Sequence, residues 1–120
     1  MPIDRDEVAG FLPLPPATFH ILLALLDQDR HGYGIIQDVE ERTRGELRMS
    51  AGTLYRSVAR MVEQRLITEV EKRRADDDDA RRRYYRLTSL GNAVARAEMR
   101  RLSELVRLAR QRGLTPGGAT

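Results

Sequence analysis

The sequence contains no cysteine and no tryptophan, and aromatic residues make up only 5% of its 120 residues. Without cysteine there is no disulfide, no thiolate metal site and no cysteine nucleophile. The longest unbroken apolar run, residues 21–26, is far too short to span a membrane, and the acidic start at residues 1–7 does not resemble a signal peptide. We therefore expect a cytoplasmic protein.

The charge is small overall but unevenly distributed. The net charge is +3. A chain of this length forms one domain with a modest core, and association with a second copy would help to stabilise it. Residues 1–48 carry five arginines against nine acidic residues, whereas residues 72–88 carry seven basic residues against four aspartates. Residues 89–120 carry six arginines against two glutamates. This asymmetry suggests a polyanionic partner, although an arginine-rich solvated helix would give the same pattern.

Two helices are predicted in the first part of the chain, after a flexible arm at residues 1–13. Pro15-Pro16 opens the first helix, which is apolar almost all round and should be buried. The second helix covers about residues 32–43 and begins at His31-Gly32-Tyr33-Gly34. Its two glycines allow close approach to the next helix or to a backbone outside the protein. A glycine-rich phosphate loop is the alternative, but the spacing fits neither known glycine motif.

A third helix starts after Ser50, a candidate N-cap, and ends near residues 64–65. One face is an apolar stripe of Leu54, Val58 and Met61. The opposite face combines small residues with tyrosine and arginine: Ala51, Gly52, Thr53, Tyr55, Arg56 and Arg60. Small residues permit close contact, and tyrosine and arginine suit phosphates and base edges. The pattern predicts a DNA-reading helix, although an amphipathic helix with solvated arginines has the same pattern.

A β-hairpin with a charged tip is predicted next. Residues 66–71 and 81–87 alternate between apolar and polar side chains, which is typical of strands. The tip contains four consecutive aspartates at residues 76–79, flanked on both sides by basic residues. Consecutive carboxylates on a turn diverge, and the spacing of a calcium loop is absent, so a solvated turn is favoured over a metal site.

The last helix is predicted over residues 89–112, with Thr88 as its N-cap and a frayed tail at residues 113–120. Its apolar stripe is wide and needs a partner surface. The stripe could fold back on the first helix, but pairing with a second chain is favoured because one copy offers little to cover both helices. The expected dimer contacts are Met99, Leu102, Leu105, Val106 and Ala109.

The order helix, helix, helix, strand, strand, helix predicts a mainly α fold with a small β-hairpin. It is the order of a winged helix-turn-helix, here residues 14–88, followed by a C-terminal dimerisation helix at residues 89–112. The most distinctive segments are His31-Gly32-Tyr33-Gly34-Ile35, Ser50-x-Gly52-Thr53-Leu54-Tyr55-Arg56, Arg60 with Glu63, Leu66-Ile67, and Arg83-Tyr84-Tyr85-Arg86-Leu87-Thr88-x-x-Gly91.

In these segments the chain resembles the PadR family of bacterial transcriptional regulators, in its short subclass with a single C-terminal helix. One departure is Arg65, where the family usually has glycine, so the third helix must end without a residue that easily adopts the left-handed conformation. The resemblance implies a homodimeric repressor on a palindromic operator, relieved by a small molecule or another signal.

Within that framework each subunit would place the third helix in a major groove of double-stranded DNA. Gly52 and Thr53 would lie closest to the bases, and Arg56 would contact a guanine edge. Phosphate contacts are expected from Ser50, Tyr55, Arg60, Tyr33 and His31, and wing contacts from Arg74, Arg81, Arg82 and Arg83. Two copies would present their helices about one DNA turn, ~34 Å, apart.

Other classes of protein fit the sequence less well. No nucleophile–base pair, carboxylate pair or metal-ligand set is present, so we predict neither an enzyme nor a cofactor. A winged-helix module that binds another protein without binding DNA is the alternative function. RNA binding is disfavoured because stacking aromatic side chains are scarce.

Overall fold

The computed structural model describes residues 3–71 and 83–117 and is mainly helical, with one small sheet. In chain order the elements are α1 (Arg5–Ala9), α2 (Pro16–Ala24), β1 (Arg30–His31), α3 (Gly32–Arg42), α4 (Ala51–Glu63), β2 (Ile67–Val70), β3 (Tyr84–Leu87) and α5 (Ser89–Gln111). The predicted fold class is confirmed, and the single C-terminal helix α5 follows the hairpin as expected.

The apolar stripes predicted from the sequence meet in one core. Helix α2 lies at its centre, with Ile21, Leu22 and Ala24 fully buried, because this helix is apolar on nearly every side. The stripe of α4 packs there as well, and β2 adds Ile67. The remaining buried members include Ile35, Val39, Leu54, Val58, Met61, Leu66, Tyr85 and Val94.

The sheet has three antiparallel strands in the order β1-β3-β2. Hairpin strands β2 and β3 pair with Ile67 opposite Leu87 and Val70 opposite Tyr84. Nothing in the sequence indicates β1, because a strand of two residues is too short to show alternation. The hairpin tip, including the predicted aspartate turn at residues 76–79, lies outside the described residues.

Strand β1 is anchored by Arg30. Its Nε donates a hydrogen bond of 2.7 Å to the carbonyl of Ala24 at the end of α2, and its guanidinium lies 3.3 Å from an Asp38 carboxylate oxygen on α3. Asp38 also accepts from Arg42 at 2.9 Å, and this bond raises the pKa of Arg42. These contacts connect the end of the central helix to the helix that supports α4.

The prediction of a flexible arm at residues 1–13 is wrong for its central part, which is helical. Residues 5–9 form α1, whose N-cap Asp4 accepts a hydrogen bond of 2.9 Å from the Asp6 N–H. Val8 is buried and Phe11 packs partly against the core, and α1 is in contact with α5. In the sequence the segment is short, and its core-facing apolar residues stand among charged residues and two prolines, so the helix is not evident.

Helix α4 ends in a tight left-handed turn at Arg65, whose φ is 63°. The Leu66 N–H donates to the Met61 carbonyl, and the Arg65 N–H donates to the Val62 carbonyl, each at 3.0 Å. This is the Schellman pattern, in which glycine usually takes the left-handed position. The chain therefore keeps the turn despite the arginine, at a cost of about 1 kcal/mol relative to glycine. The turn brings Leu66 into the core directly before β2.

Candidate nucleic-acid interface

Helices α3 and α4 approach closely at Gly32, which is buried at the start of α3. A Cβ placed on Gly32 would lie 2.8 Å from the Tyr55 Oη atom and 3.1 Å from the Leu54 Cδ2 atom. The sequence left open whether this glycine approaches the next helix or a backbone outside the protein. The structure places it against the next helix, with the Tyr55 ring lying over the start of α3.

The solvent face of α4 is the one predicted to read DNA. Its stripe of Leu54, Val58 and Met61 is buried, which turns the opposite side outward. Tyr55 is 52% exposed, and a Cβ placed on Gly52 would meet no atom within 4 Å. The exposed residues of this face are Ser50, Ala51, Gly52, Tyr55, Arg56 and Arg60, with Thr53 half-buried.

The first turn of α4 is fixed by the predicted N-cap. Ser50 Oγ accepts a hydrogen bond of 3.1 Å from the Thr53 N–H and donates one of 3.0 Å to Thr53 Oγ1. Both hydroxyls therefore stand at the exposed start of the helix, where free N–H groups favour an anion. Thr88 caps α5 in the same way, through a 3.0 Å bond from the Gly91 N–H. Both predicted N-caps are confirmed.

His31 has a structural role that the sequence does not reveal. Its Nδ1 accepts a hydrogen bond of 2.9 Å from the Gly34 N–H and so caps α3. The imidazole also contacts Tyr84 edge-on, with ring centroids 5.4 Å apart, and lies parallel to Tyr33 at 6.5 Å. Tyr33 is 60% exposed and follows Gly32, so two exposed tyrosines stand at the same end of the α3–α4 pair.

Arg56 and Arg60 of α4 differ from several arginines elsewhere that are held by carboxylates. Arg86 is held by Asp29 through three contacts of 2.8–3.2 Å, which raise its pKa, and Arg107 pairs with Glu104. By contrast, neither Arg56 nor Arg60 has an acidic partner among the residues that the structure describes. Their charge is therefore available to a ligand in solvent.

Of the predicted wing contacts, only Arg83 lies within the described residues; Arg74, Arg81 and Arg82 lie outside them. Arg83 is exposed, and its Nε lies 3.2 Å from a carboxylate oxygen of Glu69 on the neighbouring strand. Exposed pairs of this kind are weak, so a phosphate could displace Glu69 at little cost. In the described ranges, no cluster of three or more potential metal ligands occurs, and no helix could cross a membrane.

The apolar stripe of α5 is buried in the first half of the helix and exposed to solvent in the second half. Val94 and Ala95 are buried against the domain, so the helix does fold back on α2 over this part. Beyond residue 98 the stripe is open, and a groove beside it is lined by Phe19, Met99, Leu102, Ser103 and Val106. Of the predicted dimer contacts, Met99, Leu102, Leu105 and Val106 are exposed and Ala109 is half-buried.

Comparison with known proteins agrees with this arrangement. A protein of Lysinibacillus sphaericus, described as uncharacterized, is 38% identical over 87 residues, which are 72% of each chain. A solved transcriptional regulator from Clostridium thermocellum shares the fold, with a TM-score of 0.67 and 22% sequence identity. The match covers 92% of this chain and 97% of that chain. A PadR family transcription regulator from hypervirulent Clostridium difficile R20291 is 25% identical, with coverages of 81% and 97% and a TM-score of 0.68.

A family model identifies the chain directly. The model described as "Transcriptional regulator PadR-like family" matches residues 21–97, more than half of the sequence and the part that holds the helix-turn-helix and the hairpin strands. This match confirms the predicted resemblance, and it disfavours both the enzyme and the protein-interaction alternatives. The chain belongs to the PadR-like transcriptional regulator family and is a DNA-binding transcriptional regulator, not an enzyme.

Proposed function

We propose that this protein is a homodimeric repressor that binds a palindromic operator and is released from it by a small molecule or another signal. The observation that carries the proposal is the solvent face of α4, where an exposed tyrosine, an open glycine and two exposed arginines lie on one side. A helix that enters a major groove needs small residues where it touches the bases and cations near the phosphates.

The proposed contacts with DNA divide between base edges and phosphates. Gly52 and Thr53 approach the base edges, and Arg56 contacts a guanine. Phosphates are held by Ser50, Tyr55 and Arg60 of α4, by Tyr33 and His31 at the start of α3, and by Arg74, Arg81, Arg82 and Arg83 of the wing. Phosphate contacts would position the protein, whereas Arg56 would supply sequence preference.

Dimerisation is assigned to the second half of α5. Met99 is 65% exposed and Leu102, Leu105 and Val106 lie on the same part of the helix, which is more apolar surface than a solvated helix usually presents. Pairing two copies there would relate the two α4 helices by a two-fold axis, as a palindrome requires. A signal that changes this pairing would change the spacing of the two reading helices and release the operator.

Gly52→Ala separates the stability of α4 from its binding of DNA. Alanine is the better helix former and meets no atom here, so we expect the melting temperature to stay equal or to rise by about 2–4 °C. The added methyl group stands where the bases should lie, so affinity for DNA should fall about tenfold or more. Thermal unfolding and titration of a fluorescent duplex, enriched by the protein from a random pool, measure the two effects.

The matched control is Gly10→Ala at the end of α1, away from the proposed DNA face. Its φ is −63°, and a Cβ there would stand at ordinary distances of 3.4–3.5 Å from its nearest neighbours, so alanine is tolerated. We expect its DNA affinity to equal that of the wild type. If Gly52→Ala kept wild-type affinity at the same salt concentration, the proposed placement of α4 in the groove would be incorrect.

A further inference from the structure

The proline-rich turn at residues 13–16, which leads into α2, has one backbone donor to satisfy. It consists of Pro13, Leu14, Pro15 and Pro16, and proline has no N–H group, so the Leu14 N–H is the only amide donor in the turn. Leu14 is buried. A buried N–H without an acceptor would destabilise the fold, so this donor needs a partner inside the protein.

Glu98 of α5 supplies that partner. Its Oε2 accepts a hydrogen bond of 2.9 Å from the Leu14 N–H, across 84 positions of sequence. Glu98 is 2% exposed and is the only buried charged residue in the part of the chain that the structure describes. Its carboxylate also pairs with Arg101, one turn further along α5, whose side chain is 34% exposed.

The two partners of Glu98 serve different purposes. The hydrogen bonds from Arg101 lower the pKa of Glu98, burial opposes them, and the Leu14 bond lowers it further, so the carboxylate is ionised at neutral pH. Arg101 belongs to the same helix and therefore balances the charge without connecting two elements. Only the Leu14 bond connects α5 to the turn that begins α2.

Glu98 stands where α5 leaves the domain. Before it, Val94, Ala95 and Ala97 are buried; after it, nearly every residue of the helix is exposed. At 1.5 Å per residue, about 20 Å of helix lies beyond Glu98, so a tilt of about 10° at this point moves its end by about 3 Å. One added base pair shifts an operator half-site by about the same distance, 3.4 Å, and turns it by about 34°.

From this juxtaposition we propose that Glu98 is a positioning residue, which fixes the angle between α5 and the DNA-binding elements and thereby selects the half-site spacing that the dimer accepts. The inference rests on the proposed function, since it requires two copies paired through α5. Glu98 touches no DNA; it acts through the direction of the helix that joins the two copies.

The test uses the full-length protein and a series of duplexes built from the sequence that the protein enriches from a random pool. In this series the two half-sites are moved apart or together by one or two base pairs. The wild type should lose about tenfold in affinity for each base pair of displacement. Glu98→Leu removes the acceptor and fills the same space with an apolar side chain. We expect it to remain dimeric in sedimentation but to lose less than threefold across the series, because α5 can then adopt several angles.

Two further variants keep the test decisive if Glu98→Leu folds poorly. Glu98→Gln retains an oxygen that can accept from the Leu14 N–H, so it should restore the wild-type spacing profile. Arg101→Gln removes the charge partner and leaves the Leu14 bond, so its profile should also match the wild type. If Glu98 had a purely structural role, Glu98→Leu would have a lower melting temperature than the wild type and Glu98→Gln, but its spacing profile would match theirs.

The possible failures are distinguishable. If the wild type is a monomer, or binds all spacings equally, the proposed function fails and the role of Glu98 fails with it. If the wild type shows a sharp profile and a dimeric Glu98→Leu shows the same one, the inference about Glu98 alone is overturned. Where Glu98→Leu does not fold, loss of the sharp profile in Glu98→Gln would overturn it.

Discussion

Replacing Gly91 with alanine should destabilise the protein by at least about 3 kcal/mol, a large part of the total stability of a domain this size. A Cβ placed on Gly91 would lie 2.0 Å from the Leu66 carbonyl oxygen and 2.9 Å from Leu87 Cδ1. The first contact is with backbone, which cannot rotate away as a side chain could. The substitution therefore requires the start of α5 to move away from Leu66.

The neighbouring hydrogen bonds oppose that movement, because it would break them. The Leu66 carbonyl accepts from the Thr88 N–H at 3.1 Å and from Thr88 Oγ1 at 2.9 Å, and Thr88 is also the N-cap of α5. Leu66 itself follows the tight turn at Arg65 and is fully buried. Separation would break both hydrogen bonds between Thr88 and the Leu66 carbonyl.

Urea unfolding followed by circular dichroism measures the Gly91→Ala effect. Gly52→Ala is the matched control, because the same added methyl group meets open space there and should not lower the unfolding midpoint. A Gly91→Ala midpoint within experimental error of the wild type would mean that Gly91 and Leu66 do not pack as described.

Leu102→Glu should convert the protein to monomers and reduce its affinity for an operator by about 10²–10⁴-fold, since the second half-site would no longer be held by the same molecule. Leu102 lies beside Phe19 in the groove of α5 and is 37% exposed in the single chain. In a dimer paired through this stripe it would be enclosed by apolar side chains, where an ionised carboxylate is strongly unfavourable.

Sedimentation velocity and titration of the enriched duplex measure the two consequences of Leu102→Glu. The control is Leu114→Glu, the same chemical change at an apolar residue that is 67% exposed and lies beyond the end of α5. It should stay dimeric and bind DNA as the wild type does. A Leu102→Glu protein that remained dimeric at micromolar concentration would move the interface away from this stripe.

The long elements could be predicted from the sequence because several local signals agree in them. The stripe of Leu54, Val58 and Met61 gives the orientation of α4, and the hydroxyls of Ser50 and Thr88 mark two helix starts that the structure confirms. Where the cap residues, the apolar periodicity and the turn positions agree, an element can be predicted without knowledge of its tertiary contacts.

The remaining features depend on contacts between distant parts of the chain. Strand β1 exists because its two residues lie next to β3, and α1 is held by contacts with α5. In the sequence Glu98 lies between Ala97 and Met99 and reads as one more charge on a solvated helix. Its burial becomes visible only when the Leu14 N–H is placed beside it.

The residue types of the candidate DNA face could be predicted from the sequence, but the contacts that hold this face in position could not. The residue types of α4 indicate a DNA-reading face, whereas the capping role of His31 and the contact of Gly32 with Tyr55 require coordinates. The same holds for charge: the sequence shows many arginines, and only the structure separates Arg56 and Arg60 from those with acidic partners, such as Arg86.

Duplexes can be selected from a random pool by the wild-type protein and then sequenced, so that the protein itself chooses the sequence that it binds. We expect an enriched inverted repeat whose half-sites lie about one helical turn, ~10 base pairs, apart. Enrichment of a single asymmetric site, or of no sequence above the starting pool, would contradict a pair of α4 helices reading DNA in symmetry.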